Sequence, residues 1–173
     1  MFDLLLRGGQ VIDGLGSPRY RADVAVQHGR IAAVGDLSAA EAARTLDCAG
    51  LCVSPGWVDI HGHADWNVLE YSVGLNLLIQ GSTTTVAGNC GGAPAPVSGR
   101  ATELLKQHKL RDTGSAQEMH ERHPDGRWTM ADFLDAVEES RPGVNYIQLA
   151  GHNAIRTCVM GHDERQAMPD EVR

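Results

Sequence analysis

Through the first third of the chain, apolar and polar positions tend to alternate with a period of two, and the runs are short. Phe2 to Leu6 is apolar and Gly8-Gly9 punctuates it. Val11-Ile12 runs into a turn-like stretch from Asp13 to Pro18. Ala22 to Val26 alternates up to His28-Gly29, which reads as a tight hairpin turn returning through Arg30 to Val34. Ala39 to Arg44 reads as one helical turn, and Leu46 to Val53 as strand again. Residues 1–56 therefore predict a small all-β domain.

The pattern changes after Pro55-Gly56. Trp57 to His61 is short and mostly apolar, the mark of a buried parallel strand. Residues 68–80 carry apolar positions at helical spacing and end at Gly81. Thr83 to Ala87 is rich in β-branched residues and predicts the next strand. A polar stretch rich in Gly and Pro follows, to Arg127. It has no apolar period, so from about Gly92 it predicts a poorly packed excursion, able to act as a lid. Its His108, His120 and His123, with Glu118, Glu121 and Asp125, are expected in solvent. Thr129 then suits a helix N-cap, with Phe133, Leu134 and Val137 on one face. Val144 to Ala150 is a third strand. Strands alternating with helices imply an α/β domain of parallel βαβ units over residues 57–173. At its end, Pro169-Asp170-Glu171 is how a helix begins.

Composition narrows the functional classes. The net charge is −7 with no Lys/Arg stripe, which argues against nucleic acid as a partner. No run has the length of a membrane span, and the first residues lack the basic and apolar regions of a signal peptide. Four cysteines are too sparse for a disulfide scaffold, so a cytoplasmic location is the default expectation. Twenty glycines suggest many turns and close backbone approaches.

His61 and His63 form an H-x-H pair at the end of the apolar strand. Side chains two apart on a strand share a face, so two imidazoles can reach one cation. Spacing alone fits two exposed loop histidines better. The position after Pro-Gly at a strand end, where parallel barrels place their chemistry, points to a metal. Asp65 stands two residues on, either hydrogen-bonding a ligand histidine or as a surface acid. Cys90, in Gly88-Asn89-Cys90-Gly91-Gly92, follows the second strand. It is either a thiolate ligand at the same mouth or a small buried thiol. His152 and Arg156 follow the third strand; on spacing alone they read as a structural histidine and a surface cation. At the mouth, His152 would orient substrate and Arg156 would grip a carboxylate. No P-loop or G-x-S-x-G sequence is present.

PGWVDIHGHAD (Pro55 to Asp65) resembles the first-strand metal motif of the amidohydrolase superfamily. GSTTTVAGNCGGAPAPV (Gly81 to Val97) and GHNAIRTCVMG (Gly151 to Gly161) resemble segments of its N-acyl-D-amino-acid deacylases, the D-aminoacylases. DLLLRGGQVIDG and GRIAAVG resemble the superfamily's small β-sandwich. The resemblance runs through essentially the whole chain. It implies a β-sandwich over residues 1–56 and the first three β/α units of an incomplete (β/α)8 TIM-like barrel over 57–173. It implies zinc held by His61, His63 and Cys90, with Asp65, Asn89, His152 and Arg156 supporting the ligands or binding substrate. The implied substrate is a small N-acyl-D-amino acid, hydrolysed to a carboxylate and a D-amino acid. In that family an aspartate moves the proton, and this general base is expected beyond the C-terminus of the chain. Two alternatives remain: a cyclic-amide hydrolase of the hydantoinase or dihydroorotase kind, and a non-catalytic metal-binding fragment. The Gly-Asn-Cys-Gly segment disfavours the first, because those relatives usually bridge their metals with a modified lysine.

Overall fold

The structure, a computed structural model, describes residues 1–107 and 114–172. It divides into two compact units, Met1–Pro55 and Gly56–Arg173.

In the first unit, β1 (Phe2–Val11) runs straight through Gly8-Gly9, where the pattern predicts a break. Gly8 has φ +75°, and the register against β2 (Tyr20–Gln27) shifts between Leu6 and Gly9. The glycines thus make a bulge rather than an end. His28 and Gly29 both take positive φ, 51° and 70°, and turn the chain into β3 (Arg30–Gly35) as the expected hairpin. The span read as a helical turn ends instead in β4 (Ala42–Asp47), because parallel pairing with β1 claims its backbone. β5 (Cys52–Val53) also pairs with β1. All five strands join one sheet of order β3-β2-β1-β4, with β5 on β1. The second layer of the expected sandwich is not formed by residues of this unit. Val11, Ala22 and Val24 form its apolar cluster.

The second unit is built on three parallel strands in sequence order: β6 (Trp57–Asp59), β7 (Ser82–Ala87) and β8 (Asn145–Gln148). β6 is a parallel strand but not a buried one. Trp57 is 60% and Val58 55% exposed, since β6 pairs on one side only. The helix read over 68–80 is reduced to α1 (Leu75–Leu78). Upstream of it, Val68 turns into the core, Leu69 N–H donates to Ser115 Oγ at 3.3 Å, and Gly74 takes φ +62°. A left-handed residue there cannot continue a helix.

The largest departure lies between the second and third strands. In place of a loose excursion, α2 (Gly99–Lys106) and α3 (Gly114–Arg122) flank the undescribed residues 108–113. α2 buries Ala101 and Thr102, and α3 buries Ser115, Ala116 and Met119. These are mostly small side chains, which pack helices closely without writing an apolar stripe into the sequence. Thr102 Oγ1 donates to Gly126 O at 2.9 Å, and Trp128 Nε1 to Pro94 O at 2.8 Å. Of the polar residues expected in solvent, His120, Glu121 and Asp125 are exposed. Glu118 and His123 are partly buried, and His108 lies outside the described residues.

Thr129 caps α4 (Met130–Ser140) in a full capping box with Asp132. Phe133 and Val137 enter the core, whereas Leu134 stays 41% exposed. The last helix, α5 (His152–Met160), follows β8 directly. Residues 169–171 make one turn, in which the Glu171 carboxylate accepts from Met168 N–H at 2.8 Å. The helical start read there goes no further within the described residues.

Candidate metal centre

The ends of β6 and β7 are tied together before any ligand is considered. Gly62 N–H donates to Val86 O at 2.9 Å, carrying the pairing past the end of β6. Asp59 Oδ1 accepts from His61 N–H at 3.1 Å, bending the chain as it leaves the strand. From β7 the chain enters Gly88-Asn89-Cys90-Gly91, in which residues 88, 90 and 91 all have positive φ. For Cys90, φ 57° is a conformation that a non-glycine residue rarely adopts. The flanking glycines are required by space. A Cβ on Gly88 would stand 2.2 Å from Leu149 O, and one on Gly151 would stand 2.5 Å from Gly91 O. The turns after β7 and β8 thus meet backbone to backbone.

This frame brings three ligand atoms together. Those of His61, His63 and Cys90 all lie within 4.8 Å of one another. His61 Nε2 and Cys90 Sγ are 3.3 Å apart, and the two imidazoles meet edge-on with ring centres 5.7 Å apart. Bond lengths of about 2.0–2.1 Å to nitrogen and about 2.3 Å to sulfur, at tetrahedral angles, need ligand separations of roughly 3.5 Å. The donor set therefore fits a borderline-soft divalent cation with only small movements. All three side chains are exposed, so a cation held there would be reachable from solvent.

His61 and His63 also border a cavity of about 840 Å³, together with Asp59, Thr85 and Tyr146. Asp59, Thr85 and Tyr146 are register partners across the three strands and so share one face of the sheet. Sequence reading passed over all three. The Asp-x-His-x-His spacing marks Asp59, but Thr85 and Tyr146 emerge only once the register is known.

The expected supporting residues divide. Asn89 Nδ2 donates to Gly62 O at 3.0 Å and Val86 O at 2.8 Å, directly under the ligands. Asp65 is fully buried, and neither carboxylate oxygen has a hydrogen-bond partner among the described residues, so it does not hold His61 or His63. Burial pushes its carboxyl above the usual range; the nearby Gly88 N–H opposes this without making a full hydrogen bond. Burial, and then the Asp65 charge, likewise raise the Tyr146 hydroxyl. His152 opens α5 with its side chain exposed and does not join the ligand cluster. Arg156 is not free for a substrate carboxylate: Nη2 donates to Asp163 O at 2.6 Å and Arg165 O at 2.8 Å. Its guanidinium closes the chain beyond the C-terminus of α5 instead.

A parallel strand ending in His-x-His beside a second strand ending in a cysteine gives the donor set of a candidate metal site. No protein-family model matches the chain. The chain is 42% identical to an N-acyl-D-glutamate deacylase of Alcaligenes xylosoxydans xylosoxydans over 99% of its length and 33% of the relative's. It is 40% identical to a D-aminoacylase of the same organism, with the same coverage. Among solved structures, a D-aminoacylase described as defining a novel subset of amidohydrolases superposes with TM-score 0.80, at 39% identity, covering 99% of this chain and 34% of that one. The N-acyl-D-glutamate deacylase of Bordetella bronchiseptica, complexed with zinc and a phosphonate mimic of the tetrahedral intermediate, gives 0.75 at 32% identity, covering 98% and 34%. The chain resembles the N-acyl-D-amino-acid deacylases along essentially its whole length and spans about a third of the length of the relatives it matches. Among the described residues, no helix is long and apolar enough to cross a membrane.

Proposed function

We propose that His61, His63 and Cys90 hold zinc in a deacylase that cleaves the amide of small N-acyl-D-amino acids. The convergence of three ligand atoms at the ends of adjacent parallel strands carries this reading. Zinc in the related glutamate deacylase supports the choice of metal. A zinc ion there would supply Lewis acidity toward the amide carbonyl and the attacking water. The chain's own part is to fix the ligands and to border the cavity with Asp59, Thr85 and Tyr146. Because no carboxylate joins the ligand cluster among the described residues, we propose that these 173 residues alone bind metal without turnover. Four free cysteines and a thiolate ligand suit a reducing compartment, and we place the protein in the cytoplasm.

The test is a chimera in which these residues replace the corresponding third of a D-aminoacylase. It should release D-amino acid from a panel of N-acetyl-D-amino acids, and Cys90→Ala or His61→Ala should abolish release. Metal-dependent release by the short chain itself, or by the Cys90→Ala chimera, would contradict the reading.

A further inference from the structure

Metal ligands on two separate turns are useful only if the turns keep their spacing when the site is empty. Three exposed ligand side chains cannot set that spacing. It falls to the backbone beneath them, where one side chain touches both turns. The carboxamide nitrogen of Asn89 lies 3.0 Å from the carbonyl of Gly62, the residue between His61 and His63. It lies 2.8 Å from the carbonyl of Val86, near the end of β7. The Val86 carbonyl also receives Gly62 N–H at 2.9 Å, so the three groups close into one polar knot. Asn89 is itself the neighbour of Cys90 in sequence. A shift of the His-Gly-His turn therefore cannot occur without breaking a hydrogen bond to the residue beside the sulfur ligand.

We propose that Asn89 is a positioning residue for the metal centre, pinning the His61-Gly62-His63 turn to the Cys90 turn through its side-chain amide. This rests on the metal reading above. The residue type suits the task. Both bonds need N–H donors at the end of a short side chain, and only the amide group of Asn provides two there without charge. An aspartate of the same shape would aim a negative oxygen at two carbonyl oxygens. A serine would be too short to reach both.

The test uses the full chain and cobalt(II), whose bond to a thiolate gives a charge-transfer absorption. The wild-type chain should bind cobalt with that band. Asn89→Asp and Asn89→Ser should bind about 10–100-fold more weakly, the cost typical of losing such a support. The thiolate band per bound cobalt should also weaken, while cooperative thermal unfolding stays close to wild type. Equal affinity and an unchanged band in both variants would overturn the proposal. A wild-type chain that takes up no cobalt would refute the metal reading and this inference with it. Binding by wild type with no response in the variants would refute the positioning role alone. Hydrogen exchange of the Asn89 side-chain amide in the wild-type apo chain gives a check without a variant. Slow exchange is the expected result, and solvent-averaged exchange would overturn the claim.

Discussion

Two stretches of the second unit invert the usual reading of hydrophobicity. Residues 71–79 contain Tyr71, Val73, Leu75, Leu78 and Ile79, yet these are 36–75% exposed. Residues 93–137 contain much of the charge of this unit, yet they supply Ala95, Val97, Ala101, Met119, Trp128, Phe133, Ala136 and Val137 to the main apolar cluster. The difference lies in what faces each segment rather than in how apolar it is. The second stretch folds back on itself, through the Val97–Trp128 bridge and two helices whose buried residues are mostly small. The first has no such partner among the described residues. An apolar side chain is stabilising only against a surface that receives it.

Substitutions can break that comparison. The largest effect should come from Phe133→Ala. Its ring is fully buried, so truncation should cost about 3–5 kcal/mol of the second unit's stability, read from denaturant midpoints. Met119→Ala, in the stretch expected to be loose, should cost about 2–5 kcal/mol. A loss under about 0.5 kcal/mol there would return the segment to the status of a surface loop. Thr129→Ala should cost about 1 kcal/mol by removing the helix cap.

The same cap has a pH signature. Hydrogen bonds from the Thr129 backbone N–H and then its hydroxyl hold the Asp132 carboxyl below its ordinary range. A carboxyl depressed in the folded state contributes its stability above the unfolded-state pKa, about 3.9. That contribution is lost as pH falls through the lower, folded-state pKa. The advantage of wild type over Asp132→Asn should therefore be full at neutral pH and fade only below about pH 4. The smallest thermodynamic effect is expected at Ile79→Ser, where the side chain is 75% exposed. Its stability should change by less than about 0.5 kcal/mol, while self-association, read by light scattering, should decrease.

The strands and the meeting of His61, His63 and Cys90 were legible in the sequence, for different physical reasons. β7 and β8 are β-branched or aromatic runs bounded by glycine and polar residues, and His28-Gly29 has few conformations besides a hairpin turn. His61, His63 and Cys90 are visible because their chemistry needs particular elements at strand ends. What stayed hidden depends on contacts across the chain. α2 and α3 bury Ala, Ser and Thr beside the single large apolar Met119, which leaves no apolar period. Asp65 looks like a surface acid until burial is seen. Arg156 looks available until the carbonyls of Asp163 and Arg165 are found on it.

The meeting of the turns after β7 and β8 has a consequence for how such a site can change over generations. Where a Cβ on Gly88 would fall 2.2 Å from Leu149 O, and one on Gly151 would fall 2.5 Å from Gly91 O, every other amino acid is excluded by the opposing main chain. Cys90 is carried in a turn held by these two close approaches. Drift is therefore closed off at Gly88 and Gly151, and change in the cavity falls to the side chains that line it from the strands. The turn that carries Cys90 would pass unaltered while the cavity around it changes.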